Sequence, residues 1–152
     1  MQRTILFIAL LWVMGIQGQD FTTQWLQKTP ARNIGPGGMS GRITAIDVVT
    51  NAPENIFVGT ASGGVWKSSS GGVNWSAIFE DQITASVGAI AIQQSNPDVI
   101  WVGTGEGNPR NSLNGGFGIF KSLDGGKIWT SMGLEKTRHI HRILIDLSLI
   151  HI

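Results

Sequence analysis

The chain has 152 residues, 41% of them hydrophobic and 14% charged, with a formal net charge of +1, 21 glycines and no cysteine. Near-balanced charge excludes the basic footprint of a nucleic-acid binder, and the lack of cysteine excludes a small disulfide-stapled module. Stability must come from apolar burial, and the glycine-rich, β-periodic composition assigns that burial to short strands and tight turns rather than to disorder.

At the N-terminus, Arg3 precedes the apolar run Ile5-Leu-Phe-Ile-Ala-Leu-Leu-Trp-Val-Met14, followed by the small and polar residues Gly15-Ile-Gln-Gly-Gln19. A basic start, a short apolar stretch and a small residue before the cut spell a secretory signal peptide over 1–18. The run is shorter than the roughly 20 apolar residues that span a bilayer, so the mature chain is not expected to cross a membrane. Export without cysteine points to a bacterial protein, secreted or held in the cell envelope. Residues 19–40 form a lead-in segment.

Two self-similar stretches follow. Ile43-Thr-Ala-Ile-Asp-Val48, Pro53-Glu-Asn-Ile-Phe-Val-Gly-Thr60 and Gly64-Val-Trp-Lys-Ser68 run parallel to Val87-Gly-Ala-Ile-Ala-Ile92, Pro97-Asp-Val-Ile-Trp-Val-Gly-Thr104 and Gly118-Ile-Phe-Lys-Ser122. Each copy reads as four short strands: a small apolar one, a β-branched and aromatic one, one ending in Lys-Ser, and one beginning at a tryptophan. Pro53 and Pro97 fall at the first turn, because proline cannot donate to a ladder. Between the third and fourth strands stands Ser122-Leu-Asp-Gly-Gly-Lys-Ile-Trp129, with a degraded copy at Ser68-Ser-Ser-Gly-Gly-Val-Asn-Trp75. The serine and Asp124 hydroxyl and carboxylate can bond turn amides, the glycine pairs Gly71, Gly72 and Gly125, Gly126 allow positive φ, and Trp75 and Trp129 are expected to pack beneath the turns. Ser70 stands where the first copy should carry an aspartate, so that corner is expected to be less rigid.

A repeat of roughly 45 to 55 residues with four strands fits a β-propeller blade. The expected division is blade 1 over 41–85, blade 2 over 86–137 and the start of a truncated blade 3 over 138–146. Two blades leave unpaired edges, so the chain reads as an N-terminal fragment of a larger, all-β propeller. Residues 147–152 continue no strand of the pattern and coincide with the translation of a sequencing adapter, so they are read as an artefact.

The segments Arg32-Asn-Ile-Gly-Pro-Gly-Gly-Met-Ser-Gly-Arg-Ile43 and Gly103-Thr-Gly-Glu-Gly-Asn-Pro-Arg-Asn-Ser112, with the Val-Gly-Thr series and the Ser/Asp/Gly/Trp corner, resemble the secreted Asp-box (BNR-repeat) propellers of the sortilin N-terminal, Vps10-like group. Bacterial members of that group are often called glycosyl hydrolases. The resemblance implies a propeller fold and says little about activity, since propellers host unrelated functions.

Strand order locates a functional face. In a four-stranded blade the turns after strands one and three lie on one side and those after strands two and four on the other. The second copy carries ten extra residues after its second strand, in the loop 105–118, which therefore projects opposite the corners. Insertions in repeat proteins commonly lie on the binding face. The candidate site there comprises Arg42, Glu106, Asn108, Arg110, Asn111 and His139, with Glu106 as the candidate carboxylate for chemistry. The structural alternative is that Glu106 and Arg110 only pair with each other or with turn amides. The segments 35–42, 80–82 and 136–142, each entering an innermost strand, are expected on the same face, making Glu80 or Asp81 a conceivable second carboxylate. Ser68, Gly71, Gly72, Trp75, Ser122, Asp124, Gly125, Gly126 and Trp129 are assigned to the corners as structure.

No cofactor or metal site is expected. The glycine-rich stretches lack the Gly-Lys-Ser/Thr ending of a phosphate cradle, and His139 with His141 lack a third ligand. Two functions remain open: an exported propeller that binds a protein, peptide or polysaccharide over one face, or a glycoside hydrolase whose paired carboxylates are completed by further blades.

Overall fold

The computed structural model describes residues 42–109 and 111–146; the expected leader, the lead-in segment, Arg110 and the tail lie outside them. Eight strands form two four-stranded antiparallel sheets: β1 (Ile43–Val48), β2 (Ile56–Thr60), β3 (Val65–Ser68) and β4 (Ser76–Ala77), then β5 (Val87–Ile92), β6 (Ile100–Thr104), β7 (Ile119–Ser122) and β8 (Thr130–Ser131). Each sheet is a meander, ordered β1-β2-β3-β4 and β5-β6-β7-β8. The registers repeat: Ile43 faces Thr60 and Val87 faces Thr104, each followed by an irregularity after the first pair. The fourth strands begin one residue after Trp75 and Trp129 and are only two residues long.

The proline turns repeat as well. Ala52 N bonds Val49 O at 3.0 Å and Asn55 N bonds Ala52 O at 2.9 Å; Asn96 N to Gln93 O and Val99 N to Asn96 O, both 2.9 Å, are their counterparts. Each proline turn also braces its own corner, through Gly71 N to Glu54 O and Gly125 N to Asp98 O, both 3.0 Å. Corners and proline turns therefore share one face of the sheets.

The core lies between the two sheets: Val49, Phe57, Val65 and Phe79 pack against Val87, Ile90, Ile92, Ile100, Val102 and Phe120. Phe79 meets Phe120 edge-on at 5.4 Å and Trp129 at 5.0 Å between ring centroids, and such pairs add about 0.5–1.5 kcal/mol beyond burial. Polar ties cross the same boundary. Asp47 accepts Ile92 N at 2.7 Å, Gln94 reaches both Thr50 N and Val48 O, and Lys67 Nζ donates to Gly125 O at 3.2 Å. Strand β5 is buried along its whole length, whereas Ile43 and Ile46 of β1 are exposed.

Close backbone approach at the sheet centres requires glycine. A β-carbon on Gly59 would collide with Val87, and one on Gly103 with Ile140. Residues 141–145 thus follow β5 much as β5 follows β1, and the three stretches line one cavity of about 540 Å³. The two corner tryptophans differ in what they cover: Trp75 lies against its own turn, its Nε1 bonding Gly72 O, and is 40% exposed, whereas Trp129 reaches across to Ile78 O at 2.6 Å. Trp129 has a preceding sheet to cover and Trp75 has none among the described residues. No described helix is long and apolar enough to cross a membrane.

Candidate functional site

The loop 105–118 leaves the end of β6 and returns to β7, on the face opposite the corners. Its two ends are closed by one threonine. Thr104 Oγ1 donates to Gly118 O and accepts Phe117 N, both at 2.7 Å, while Thr104 N bonds Gly118 O at 3.0 Å. The corresponding Thr60 closes the short first-copy turn by bonding Gly64 O. The ten additional residues are thus grafted onto an otherwise identical strand connection.

Glu106 roots this loop. It is 1% exposed, and its Oε1 forms an ion pair with Nη2 of Arg42, at the residue preceding β1. Its amide donates to Ser86 Oγ at 3.0 Å and to Asn114 O at 3.1 Å, and Ser86 Oγ also donates to Asn114 O at 3.0 Å. Asn114 Nδ2 reaches Ala61 O of the first sheet at 3.3 Å. The carbonyl of Glu106 accepts His139 Nδ1 at 2.8 Å, which fixes that nitrogen as the protonated one. Gly116 N to Arg138 O and Ile140 N to Thr104 O pin the same loop to the chain that leaves the second sheet.

Arg42, Glu106 and His139, far apart in sequence, therefore converge as expected of neighbouring inner-strand ends. Asn108 and Asn111 are exposed at the loop tip, and Arg110 between them lies outside the described residues. Glu106 itself presents almost no surface, with the Arg42 guanidinium on one of its two carboxylate oxygens. Glu80 and Asp81 depart from expectation. With Gln82 they line a pocket of about 310 Å³ whose far wall is Gly125, Gly126, Lys127 and Trp129 of the second corner, away from Glu106. The chain after β4 turns toward the neighbouring sheet to bury Phe79, and that carries the carboxylates with it.

One feature escaped the sequence reading. Phe117, on the loop, is 44% exposed, and nothing in the sequence set it apart. Arg138 and His141 lie against Gly115 and Gly107, contacts that only the folded loop reveals. The segment 136–142 that carries these two residues is the one expected to enter the next innermost strand on this face.

In the second corner, Asp124 Oδ1 accepts the amides of Lys127 and Ile128, both at 2.9 Å, and the Ser122 hydroxyl at 2.8 Å. The Ile128 amide, the Ser122 hydroxyl and the Lys127 amide and charge hold its carboxyl below the ordinary value of 3.8, against a smaller opposing effect of burial. That is the chemistry of a turn brace.

No protein-family model and no curated protein matches the chain. Solved structures do. A GH74 enzyme from Niastella koreensis is 23% identical with a TM-score of 0.52, over 67% of this chain and 16% of its own. An ancestral GH74 enzyme is 22% identical with a TM-score of 0.54, over 73% of this chain and 16% of its own. YCF48 from Cyanidioschyzon merolae is 20% identical with a TM-score of 0.42, over 76% of this chain and 30% of its own. The chain thus spans about 16% of the length of either GH74 enzyme. Together with two repeated four-stranded meanders, the likenesses to the two GH74 enzymes establish the fold as part of a β-propeller.

Proposed function

We propose that this chain contributes two blades to an exported propeller of the sortilin-like, BNR-repeat type, which binds a protein, peptide or polysaccharide over the face carrying the loop 105–118. The observation that carries this reading is the division of labour within that loop. Its root is locked by the buried Glu106 and its partners Arg42, Ser86 and His139, while its tip exposes Asn108 and Asn111 and its return to β7 exposes Phe117. Exposed polar and aromatic groups on a braced loop bind without first losing much loop entropy.

The test separates root from tip in the full-length protein. Replacing Asn108 and Asn111 together by alanine is expected to weaken binding to the responding member of a polysaccharide and peptide panel about tenfold, with an unchanged melting temperature. Glu106→Gln should instead cost about 1–3 kcal/mol of stability, because it leaves Arg42 without its buried partner. Normal binding by the Asn108/Asn111 double variant would refute the reading.

The alternative, a glycoside hydrolase, draws on the two GH74 enzymes that share the fold. It needs two carboxylates about 5 to 9.5 Å apart. Glu106 is committed to Arg42, and Glu80 and Asp81 occupy a different pocket, so the pair would have to come from elsewhere in the protein. Release of reducing ends from a bound polysaccharide would favour this alternative.

A further inference from the structure

The chain leaving the second sheet reads Lys136-Thr-Arg-His-Ile-His-Arg142, three cations and two imidazoles without a carboxylate. The loop backbone holds part of this run in place. A β-carbon on Gly115 would come within 3.0 Å of Arg138 Nη2 and 3.1 Å of its Nε, and the His141 ring lies so near Gly107 that no β-carbon fits there. Yet Arg138, His141 and Arg142 are all exposed. Among the described residues neither Arg138 nor Arg142 has a carboxylate partner.

His141 and Arg142 also border the 540 Å³ cavity between the inner stretches. Thr44 and Gly88 lie at the end of that cavity nearest the loop face, since β1 and β5 start beside the ends of β2 and β6. Asp47 lines the cavity toward the other face, and its two oxygens already accept Val48 N and Ile92 N. Of the other carboxylates, Glu106 is buried on Arg42, Glu135 lies in the turn before the basic run, and Asp146 stands beyond the residues that line the cavity. The mouth therefore presents the guanidinium of Arg142 beside the His141 ring, and Arg138, outside the cavity lining, adds a second guanidinium against Gly115 of the loop; this group matches a carboxylate bidentately.

We infer that this mouth is a subsite for a sugar carboxylate, so that the ligand of the loop face is an acidic, uronate-bearing polysaccharide. The inference rests on the reading of that face as a binding surface and adds the charge of its ligand. The surroundings favour a saccharide over an acidic peptide. A peptide would call for a strand edge or a row of apolar pockets; this face consists of strand connections, with the amides of Asn108 and Asn111 to meet hydroxyls and the ring of Phe117 to meet a sugar face.

Calorimetric titration of the full-length protein with an oligogalacturonate and with the matching neutral oligogalactose tests this. The uronate is expected to bind at least about tenfold more tightly, and Arg138→Gln and Arg142→Gln should each lower uronate affinity about tenfold, equivalent to ~1.4 kcal/mol, without changing affinity for the neutral sugar. Asn108→Ala should weaken both sugars alike. Equal binding of the two sugars, with Asn108→Ala still weakening both, would overturn the anion subsite and leave the binding face intact. Binding of an acidic peptide in preference to the uronate would overturn the saccharide assignment. Failure of either sugar to bind would overturn it also.

Discussion

The two copies of the repeat share strands, registers and glycine conformations but not their corners. In both, the glycine pair is left-handed, with φ of 64° and 92° at Gly71 and Gly72 and of 71° and 94° at Gly125 and Gly126. In both, the leading serine caps the second glycine amide at 2.9 Å, Ser68 to Gly72 and Ser122 to Gly126. They diverge at the third position. Asp124 collects two amides and a hydroxyl, whereas Ser70 accepts Asn74 N at 2.8 Å and leaves Val73 N on a long 3.4 Å bond to its own carbonyl. They diverge again at the tryptophan, which spans two sheets in the second copy and stays within its corner in the first. The turn path is thus set by glycine and serine alone, while aspartate and tryptophan tie the corner to its surroundings.

The largest expected difference lies at the tryptophans. Trp129→Ala removes the ring that covers Phe79 and the bond to Ile78 O, and should cost about 3–5 kcal/mol in denaturant unfolding of the full-length protein. Trp75→Ala, on a 40% exposed ring, should cost about 1 kcal/mol or less. Equal losses would mean that the first corner is also covered in the complete protein, and the contrast would disappear.

A smaller effect is expected at Asp124. Its carboxyl is held below 3.8 by groups that bond the ionised form, so its contribution is present above that value and fades as pH falls through the lowered one. Asp124→Asn should therefore destabilise at neutral pH, and the gap to the parent protein should begin to narrow once the pH drops below about 3.8 and close only below the lowered value. A gap that persisted unchanged in acid would show that shape, not charge, braces the turn.

How much of this was legible in the chain follows from the kind of interaction involved. Local chemistry was readable: the glycine pairs, Ser122 and Asp124 lie within one turn, and repetition doubled the signal. Strand order followed from the repeat, which made the face of the loop 105–118 deducible. Interactions between sheets were less readable. Nothing in Trp75 and Trp129 distinguishes an exposed ring from a covered one, because the difference lies in what precedes each sheet in space. Glu80 and Asp81 were misplaced for the same reason, since burial of Phe79 governs the path of their segment. At the site, Glu106 stood out as the loop carboxylate, but its burial depends on Arg42, sixty-four residues away in sequence, and no local pattern encodes that pairing.

The smallest expected effect inverts the comparison by repairing the first corner. Ser70→Asp places a carboxylate where Asp124 sits in the second copy, within reach of the Val73 and Asn74 amides that correspond to those of Lys127 and Ile128. The glycine conformations are already in place, so the substitution asks nothing new of the backbone. The long bond from Val73 N to Ser70 O would be replaced by a charge-assisted one, a gain of about 0.5–1.5 kcal/mol. The gain should appear in the unfolding midpoint at neutral pH and be lost in acid, because a carboxylate that gains amide partners on folding stabilises only while ionised. Because Trp75 remains exposed, the repaired corner should still depend on it far less than the second corner depends on Trp129. A Ser70→Asp variant no more stable than its parent would mean that the amides of the first corner are already satisfied by water, and that the missing aspartate costs this propeller nothing.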